Sequence, residues 1–526
     1  MTWTPPERLN LAQWVLGEHL RAGRGDRVAL RLADRHITYL GVARRANRVA
    51  RHLRSLGIGE EDRVVVALED GVDFVTAFFS TLQIGAVVVM VNPELADDSL
   101  DALLDYVRPR VVFIESGRES VVRRDRLRHG GEVIVPATQK SAGQPFADDA
   151  ESDAGDRLAP LVDSHRDDPA IWLFSGGTTG RPKAVVQSHG AFANTTELYA
   201  VRTLGYSEDD ITLSVPKLYF GYATGSNLLF PLQVGGSAVL FAEKPTPDVL
   251  FEHIDTFRPT ILINVPTLIN RMVSHPDAAT RDLSCLRFTT SAGEALPVPL
   301  HERWNDTFGG ELLDGLGTAE MWHVFVTNRP GDVIPGTLGK VVDGFEIRIR
   351  DDKGRDLADG EVGRMWVRGR SRALGYWRNL EKTCECFRGE WFVGGDLASR
   401  NPATGAITYC GRGDDVLKVG GRWLVPQEVE ACLLRNAAVR EAAVIGAEDA
   451  QGLTKPYAFV IPTDPDHART DLRETDLGET LKAWVLDELD AYKHPRRVFI
   501  VADLPRTHLG KVDRRALRDR LGSLDG

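Results

Sequence analysis

Nine consecutive residues, 175–183, combine three glycines, three hydroxyl side chains and two cationic side chains. Glycines let the backbone approach an anion, hydroxyl groups and amides donate hydrogen bonds, and a lysine adds a positive charge. The segment lies between two apolar runs, residues 170–174 and 184–186, whereas a flexible Gly/Ser/Thr linker seldom connects two apolar strands. The composition therefore predicts a phosphate-binding loop.

The loop differs from the Walker A motif of P-loop NTPases. That motif has its lysine directly after the second glycine and before a serine or threonine. Here Arg181 and Pro182 separate Gly180 from Lys183. The spacing indicates another class of nucleotide-binding protein.

Five further segments follow the loop, each rich in glycine and charged side chains. They are Ser-Ala-Gly-Glu-Ala-Leu-Pro (291–297), Asp-Gly-Leu-Gly-Thr-Ala-Glu (314–320), Trp-Phe-Val-Gly-Gly-Asp (391–396), Gly-Arg-Gly-Asp-Asp (411–415) leading to Gly-Gly (420–421), and Pro-Arg-Thr-His-Leu-Gly-Lys (505–511). With the loop, they resemble the signature of the adenylate-forming superfamily: acyl- and aryl-CoA ligases, adenylation domains of peptide synthetases, and luciferases. One short match is weak, but six in the same order leave little room for chance.

The resemblance implies a reaction in two steps. A carboxylate is a poor electrophile, so this family first joins it to AMP from ATP, with release of pyrophosphate. A thiol then attacks the acyl-adenylate. Catalysis is expected to rest on positioning and on electrostatic stabilisation of phosphate charge. The expected cofactors are ATP, Mg²⁺ and CoA.

The resemblance also implies how the nucleotide is held. Glu320 resembles the glutamate that holds Mg²⁺, a cation suited to one carboxylate plus phosphate oxygens. Asp396 resembles the aspartate that receives the ribose hydroxyls with its two acceptor oxygens, and Arg412 resembles its partner. The remaining candidate residues are Thr178, Thr179, Gly180 and Lys183 for the phosphates, Gly293, Glu294, Ala295, Asp314, Gly315 and Leu316 for adenine, and Gly317 and Thr318 for the rest of ATP.

Near the C-terminus, Lys511 resembles the catalytic lysine that bridges carboxylate and α-phosphate. A lysine beside Arg514 and Arg515 is by itself typical of an exposed surface, but its Pro-Arg-Thr-x-x-Gly-Lys frame favours the catalytic role. Asp414 resembles a hinge about which a small domain turns between the two steps. Lys418, Gly420 and Gly421 would then line the path of a pantetheine arm, because glycines allow close approach; a plain turn between strands is the alternative.

Two positions depart from the family pattern. Ala319 stands where a threonine or serine usually precedes the metal-site glutamate, and Gly394 replaces the threonine of Thr-Gly-Asp. Each change removes a hydroxyl but no charge, so we expect a working enzyme with ATP binding weaker by about 1 kcal/mol per lost hydrogen bond.

Within the superfamily, residues 217–222, 314–325 and 328–332 resemble benzoate-type aryl-CoA ligases. The resemblance implies an acyl pocket lined by Phe220, Gly221, Tyr222, Gly317 and His323, a flat slot that suits an aromatic ring. Taken singly, the aromatic residues and the histidine are equally typical of a core. Gly221 stands where the subgroup often has alanine, which predicts room for one extra heavy atom. We therefore expect a benzoate with an amino or hydroxy substituent.

Three alternatives stay open. In the first, the acceptor is the phosphopantetheine arm of a carrier protein rather than CoA. In the second, the acid is non-aromatic. A nucleotide sensor without catalysis is the third alternative, and the presence of Lys183, Glu320 and Lys511 disfavours it.

Length and composition set the architecture. With 526 residues, 43% of them hydrophobic, the chain is too long for one core. Short apolar runs alternate with amphipathic stretches, which predicts an α/β fold. Residues 139–168 are rich in Asp, Ser, Ala and Gly, which predicts an exposed connection, and residues 426–434 are expected to form a helix. We expect a large N-terminal domain of layered sheets covered by helices (1–413), plus a small mobile C-terminal α+β domain (414–526).

The net charge of −11 argues against a general nucleic-acid partner. Five scattered cysteines indicate reduced thiols. The N-terminus lacks a basic and apolar leader, and no apolar run is long enough to span a bilayer. We expect a cytoplasmic protein without membrane contact, as a monomer or homodimer.

Overall fold

The computed structural model describes residues 3–139, 144–146, 162–175, 183–413, 416–419, 422–448, 453–467, 475–506 and 512–522. The strands of the N-terminal part are β1 (Val28–Arg31), β2 (His36–Thr38), β3 (Arg63–Ala67), β4 (Val87–Met90), β5 (Val111–Ile114), β6 (Glu132–Ile134), β7 (Pro169–Ser175), β8 (Lys183–Ser188), β9 (Ile211–Ser214), β10 (Ser237–Val239), β11 (Ile261–Asn264), β12 (Phe288–Ser291), β13 (Glu311–Gly317), β14 (Val324–Thr327), β15 (Lys340–Val341), β16 (Glu346–Arg350), β17 (Gly363–Arg368), β18 (Gly375–Tyr376), β19 (Phe387–Arg388), β20 (Trp391–Arg400) and β21 (Ile407–Arg412).

The helices of this part cover the sheets. They are α1 (Glu18–Arg21), α2 (Tyr39–Ser55), α3 (Val72–Gln83), α4 (Asp97–Val107), α5 (His189–Thr195), α6 (Gly221–Thr224), α7 (Phe230–Val234), α8 (Pro247–Phe257), α9 (Pro266–Val273), α10 (Val298–Phe308) and α11 (Leu380–Cys386). Wide π turns precede α1 (Gln13–Gly17), extend α5 (Thr196–Leu204) and join α6 to α7 (Gly225–Leu229).

A seven-stranded sheet has the order β18-β8-β7-β4-β3-β5-β6. Strands β3 to β7 pair in parallel, while β8 and β18 are antiparallel additions at one edge. The valine-rich β3 is buried along its whole length. Val64 and Val66 join one core cluster and Val65 and Ala67 another. An apolar run buried on both faces is what a parallel sheet between two layers requires.

A nine-stranded sheet has the order β15-β14-β13-β12-β11-β9-β10-β1-β2 and is parallel from β1 to β13. A third, antiparallel sheet contains β16, β17, β19, β20 and β21. The carboxyl ends of β12 and β13 lead into two of the glycine-rich segments, and β20 and β21 carry two others. These four motif segments therefore lie on or next to strands of two different sheets.

The C-terminal part is smaller and built from mixed elements. Its elements are the hairpin β22 (Leu417–Val419) and β23 (Arg422–Leu424), helix α12 (Pro426–Leu434), strands β24 (Val439–Glu448) and β25 (Thr454–Pro462), helix α13 (Asp476–Glu488), strand β26 (Val498–Ile500) and helix α14 (Arg514–Gly522). Two apolar clusters of its own lie on the two faces of the β24-β25-β26 sheet. The expected α/β fold with a small α+β part is confirmed.

The sequence predicted some of these elements. The apolar runs form strands of the two parallel sheets, and the amphipathic stretches form α2 and α3. Residues 139–168, expected to be an exposed connection, lie largely outside the described residues. Within the described part, however, Phe146 and Ser164 are buried, so the expectation is wrong for these two. No helix of the described residues has the length and hydropathy needed to cross a membrane.

Candidate active site

The phosphate loop joins two antiparallel strands. Ser175, the last residue of β7, pairs with Lys183, the first residue of β8. Strands β7 and β8 thus fix both ends of the loop at an edge of the parallel sheet, while Thr178, Thr179 and Gly180 lie outside the described residues. Lys183 is half-buried and, as the first residue of β8, it lies at the base of the loop.

Lys183 and Glu320 meet at the same aromatic side chain. The Tyr376 hydroxyl donates a hydrogen bond of 2.7 Å to Glu320 Oε1. Lys183 Nζ lies 5.9 Å from the centre of the Tyr376 ring. Tyr376 belongs to β18, which pairs with β8 through Val185. The fold therefore places a predicted phosphate lysine and a predicted metal carboxylate beside one tyrosine.

The backbone around Glu320 is held from three sides. Thr318 caps the short 3₁₀ turn Ala319–Met321 by accepting a hydrogen bond from Met321 N at 3.3 Å. Gln187 Nε2 donates to the Ala319 carbonyl at 2.6 Å. The amide of Ala373 donates to the Glu320 carbonyl at 2.8 Å. These bonds fix the direction of a carboxylate that is only 8% exposed.

This donor set suits Mg²⁺. No group of three or more His, Cys, Asp or Glu side chains that could hold a metal ion by themselves occurs within the described ranges. Mg²⁺ commonly takes one or two protein carboxylates together with substrate phosphates. Glu320 beside the base of the loop fits an ion that the protein shares with a nucleotide.

The predicted adenine segments lie on neighbouring elements. Asp314 on β13 pairs with Ser291 at the end of β12, just before Gly293, whose φ is +89°. Glu294 Oε2 accepts a hydrogen bond from Thr267 at 2.7 Å. Burial raises the pKa of the Asp314 carboxyl well above its usual value. Of the other candidates, Ala295 is exposed, Leu316 and Gly317 are half-buried, and Gly315 is buried.

The predicted ribose residues face each other across two strands. Asp396 on β20 pairs with Arg412 on β21. Tyr409 donates to Asp396 Oδ1 at 3.3 Å. A Cβ atom on Gly395 would lie 2.8 Å from Arg412 Nη2, so this glycine lets the guanidinium lie over the strand. The structure brings the two predicted residues together.

His323 is the centre of a buried aromatic group. Its ring contacts Tyr199, Tyr222, Phe230 and Trp322, with ring centroids 4.7–5.5 Å apart. Trp322 and His323 have φ values of +30° and +75°. Residues other than glycine rarely have a positive φ, and such strained backbone tends to occur at functional sites. Two predicted pocket residues, Tyr222 and His323, are therefore in contact.

The hydrogen bonds of His323 define its tautomer. Nε2 lies 2.9 Å from the Tyr222 carbonyl oxygen and 3.0 Å from Ser226 Oγ. A carbonyl oxygen only accepts, so Nε2 carries the proton. Burial lowers the pKa of His323 to about 3, which keeps the ring neutral. Nδ1 is then a bare acceptor, and it is buried without a hydrogen-bond partner among the described residues.

Two glycines make this position of His323 feasible. A Cβ atom on Gly225 would lie 2.4 Å from His323 Cδ2, and one on Gly317 would lie 2.1 Å from the His323 carbonyl oxygen. Neither distance is compatible with a side chain. Gly317 therefore lies directly against the His323 backbone, where only a glycine fits.

The expected room beside Gly221 is not open. A Cβ atom there would lie 3.2 Å from Leu173 Cδ1, and Leu173 is a buried residue of β7. The expectation of free space for one heavy atom is therefore wrong, because a side chain from the neighbouring sheet fills it. Phe220, half-buried, lies with its ring 4.4 Å from that of Tyr219.

The predicted C-terminal residues are less fully described. Asp414, Gly420, Gly421 and Lys511 lie outside the described residues. Lys418 lies on β22, opposite Trp423 on β23. Their roles stay predictions.

Sequence reasoning did not select four residues of this site: Leu173, Ser226, Gly225 and Tyr376. Each acts on a residue far away in the chain, and short apolar or glycine-containing patterns are too common to single them out. The signal for Tyr376 was its Gly-Tyr-Trp segment (375–377). No local pattern, however, reveals that Tyr376 binds Glu320.

Comparison with known proteins identifies the family of this chain. Residues 18–377 match the AMP-binding enzyme family and residues 428–511 match the AMP-binding enzyme C-terminal domain. The benzoate–CoA ligase of Thauera aromatica is 39% identical over 98% of this chain and 96% of its own. The 4-hydroxybenzoate–CoA/benzoate–CoA ligase of Rhodopseudomonas palustris is 37% identical over 99% and 96%.

Solved structures give the same result. The anthranilate CoA ligase AuaEII in complex with anthranoyl-AMP superposes with a TM-score of 0.90 at 34% identity, covering 99% of both chains. The benzoate CoA ligase from Burkholderia xenovorans LB400 has a TM-score of 0.84 at 38% identity, covering 97% of this chain and all of its own. The chain therefore belongs to the AMP-binding enzyme family and is similar over nearly its whole length to benzoate-type aryl-CoA ligases.

Proposed function

We propose that the protein is an AMP-forming aryl-CoA ligase whose acid is a benzoate with an amino or hydroxy substituent on the ring. It would activate the acid with Mg-ATP to an acyl-adenylate, release pyrophosphate, and transfer the acyl group to CoA with release of AMP. The names of its relatives, which include benzoate, hydroxybenzoate and anthranilate CoA ligases, support this class of acid.

The observation that supports a ring substituent is the tautomer and the neutral charge of His323. Its Nε2 proton is committed to the Tyr222 carbonyl, which leaves Nδ1 as a buried acceptor without a protein donor in the described part of the chain. An unsatisfied buried acceptor is costly. An amino or hydroxy group on a bound ring would satisfy it, whereas unsubstituted benzoate would not.

The adenylation chemistry would use groups at the loop. Lys183 would place positive charge against the phosphates, and Glu320, oriented by Tyr376, would hold Mg²⁺. Mg²⁺ would neutralise charge that develops on the phosphate oxygens. Asp396 and Arg412 would hold the ribose. Lys511 would bridge the carboxylate and the α-phosphate from the small domain.

The second step would use another face of that domain. Rotation about Asp414 would remove Lys511 and present Lys418, Gly420 and Gly421 to the pantetheine arm. CoA is the acceptor we propose, because the relatives named above are CoA ligases. A carrier-protein arm has the same reactive end, so the test must separate the two.

The test is a substrate panel with product analysis by mass. The protein is incubated with Mg-ATP and benzoate, 2- and 4-aminobenzoate, 3- and 4-hydroxybenzoate, cinnamate or a fatty acid, with and without CoA. The proposal expects acyl-CoA from a substituted benzoate at a higher kcat/KM than from benzoate. Adenylate that accumulates and ignores CoA would contradict the CoA acceptor, and preference for a fatty acid would contradict the aryl substrate.

A further inference from the structure

Asp70 is a buried carboxylate outside the residues discussed above. It follows β3 in the seven-stranded sheet and is 7% exposed. Its Oδ1 accepts a hydrogen bond from Leu218 N at 2.8 Å, across 148 positions of sequence. Leu218 lies in the connection between β9 of the nine-stranded sheet and α6. One hydrogen bond therefore links the two parallel sheets at the start of the segment that leads to Phe220 and Tyr222.

Leu218 is held on its other side as well. Thr224 Oγ1 lies 2.6 Å from the Leu218 carbonyl and 3.0 Å from the Phe220 carbonyl. The Leu218 side chain is fully buried. Both polar groups of this backbone unit are thus bound by side chains, so Asp70 and Thr224 set the position of the connection.

Tyr222 transmits that position to the acyl site. It lies four residues after Leu218, and its hydroxyl donates to Thr290 Oγ1 at 2.7 Å. Its carbonyl accepts from His323 Nε2 at 2.9 Å. A shift of the connection would therefore move both the aromatic wall and the group that fixes the histidine.

Burying this carboxyl is unfavourable in itself. Burial raises its pKa to about 7, against the smaller opposing effects of the Lys217 ammonium and the Leu218 amide. The Lys217 ammonium is bound elsewhere, because Nζ donates to the Phe241 carbonyl at 2.6 Å and lies 3.7 Å from the centre of that ring. Burying the Asp70 carboxyl costs free energy, and its described hydrogen bond is directed at the Leu218 amide. A role in positioning the backbone of Leu218 therefore explains Asp70 better than a general gain in stability does.

We propose that Asp70 is a positioning residue for the acyl site, which sets the affinity for the aromatic acid by fixing the backbone of Leu218. The inference rests on the proposed function, since it takes the site beside Tyr222 and His323 to be the acyl pocket. Asp70 acts through the connection and does not touch the reacting atoms.

The experiment compares the wild type with Asp70→Ala and Asp70→Asn. Alanine leaves the buried Leu218 amide without its acceptor, so the KM for the aryl acid is expected to rise about tenfold or more while the KM for ATP changes by less than about twofold. Asparagine supplies an oxygen at the same place and is expected to restore the KM. Equal effects on both substrates, or loss of thermal stability alone, would overturn the proposal.

Glu115→Ala provides the matched control. Glu115 Oε1 accepts from Glu69 N, the amide next to Asp70 in the chain, at 2.9 Å. The control is expected to leave both KM values unchanged. If Asp70→Ala does not fold, Thr224→Val removes the other side-chain bond to Leu218 and is judged by the same two KM values.

Failure of the proposed function can be told apart from failure of this inference. A wild type that forms no aryl-CoA refutes the proposed function. Calorimetric binding of the benzoate panel then decides whether Asp70 positions the acyl site. An acid that binds the wild type and Asp70→Asn but binds Asp70→Ala about tenfold more weakly supports it. Equal binding to all three proteins, or to none, overturns it.

Discussion

The hydroxyl of Tyr376 donates to Glu320 Oε1 at 2.7 Å, and this bond joins the edge strand β18 to the turn that carries the predicted metal carboxylate. Tyr376 is 8% exposed, like Glu320. A buried, directed hydrogen bond fixes the carboxylate before any cation arrives, which lowers the cost of arranging the site.

Tyr376→Phe is therefore expected to weaken Mg²⁺ binding. A hydrogen bond to a charged group contributes about 1.5–3 kcal/mol, so we expect the apparent Mg²⁺ dissociation constant to rise at least about tenfold. It is measured by Mg²⁺ titration at fixed ATP, and by calorimetric binding of Mg-ATP in the absence of acid.

Tyr39→Phe is the matched control for that variant. The Tyr39 hydroxyl is also buried, and it is bound to the Leu232 and Gly236 carbonyls, away from the loop. We expect this control to lose stability but to keep the Mg²⁺ dependence. If both variants change the Mg²⁺ dependence equally, the role given to Tyr376 is wrong.

His323→Gln tests the proposed substituent. Glutamine keeps a donor near the position of Nε2 but has no acceptor at the position of Nδ1. We expect kcat/KM for the preferred amino- or hydroxybenzoate to fall about tenfold, since one hydrogen bond is lost, while that for benzoate changes little. An equal loss for both acids would show that the imidazole serves the shape of the pocket alone.

Gly221→Ala tests the contact with Leu173. The added Cβ would lie 3.2 Å from Leu173 Cδ1, and such overpacking costs about 1–3 kcal/mol. Because the new methyl group meets Leu173 in the wall of the site, we expect the single variant to lose activity with the substituted acid and with benzoate alike. Adding Leu173→Val makes space and should restore the lost activity, as judged by kcat/KM for both acids. No recovery in the double variant would mean that the new methyl group meets the substrate and not Leu173.

His189 gives a prediction for stability against pH. It is 1% exposed, its Nδ1 accepts from Leu11 N at 3.2 Å, and burial lowers its pKa to about 4 from 6.5. Between these two values the unfolded chain binds more protons than the folded chain, so stability falls as pH drops from 6.5 towards 4. From pH 7.5 to 5 this one group accounts for a loss of about 2 kcal/mol.

His189→Asn should remove that part of the pH dependence. The side-chain oxygen of asparagine lies near the position of Nδ1, so it can accept from Leu11 N, and asparagine does not titrate. The free energy of unfolding, measured by denaturant titration at pH 7.5 and pH 5, should therefore fall by about 2 kcal/mol less in the variant than in the wild type. The same difference in both proteins would contradict the assignment of a buried neutral imidazole.

The sequence alone determined the family, the α/β architecture and the residues of the separate motifs. These features are local: a glycine-rich loop after an apolar run, buried strands of four to seven residues, and α12, which begins and ends as predicted at Pro426 and Leu434. Each depends on neighbouring side chains, and the order of the motifs along the chain adds the rest.

The tertiary structure decided which residues hold the motifs in place. Tyr376 meets Glu320 across 56 positions, Asp70 meets Leu218 across 148, and Leu173 of one sheet fills the space beside Gly221. No local pattern encodes such contacts, because they arise only when two separate sheets pack together. The sequence alone shows where the chemistry lies along the chain, whereas the packing of the sheets decides the geometry and the state of each group. An example is the neutral His323, whose Nδ1 has no hydrogen-bond partner within the described ranges.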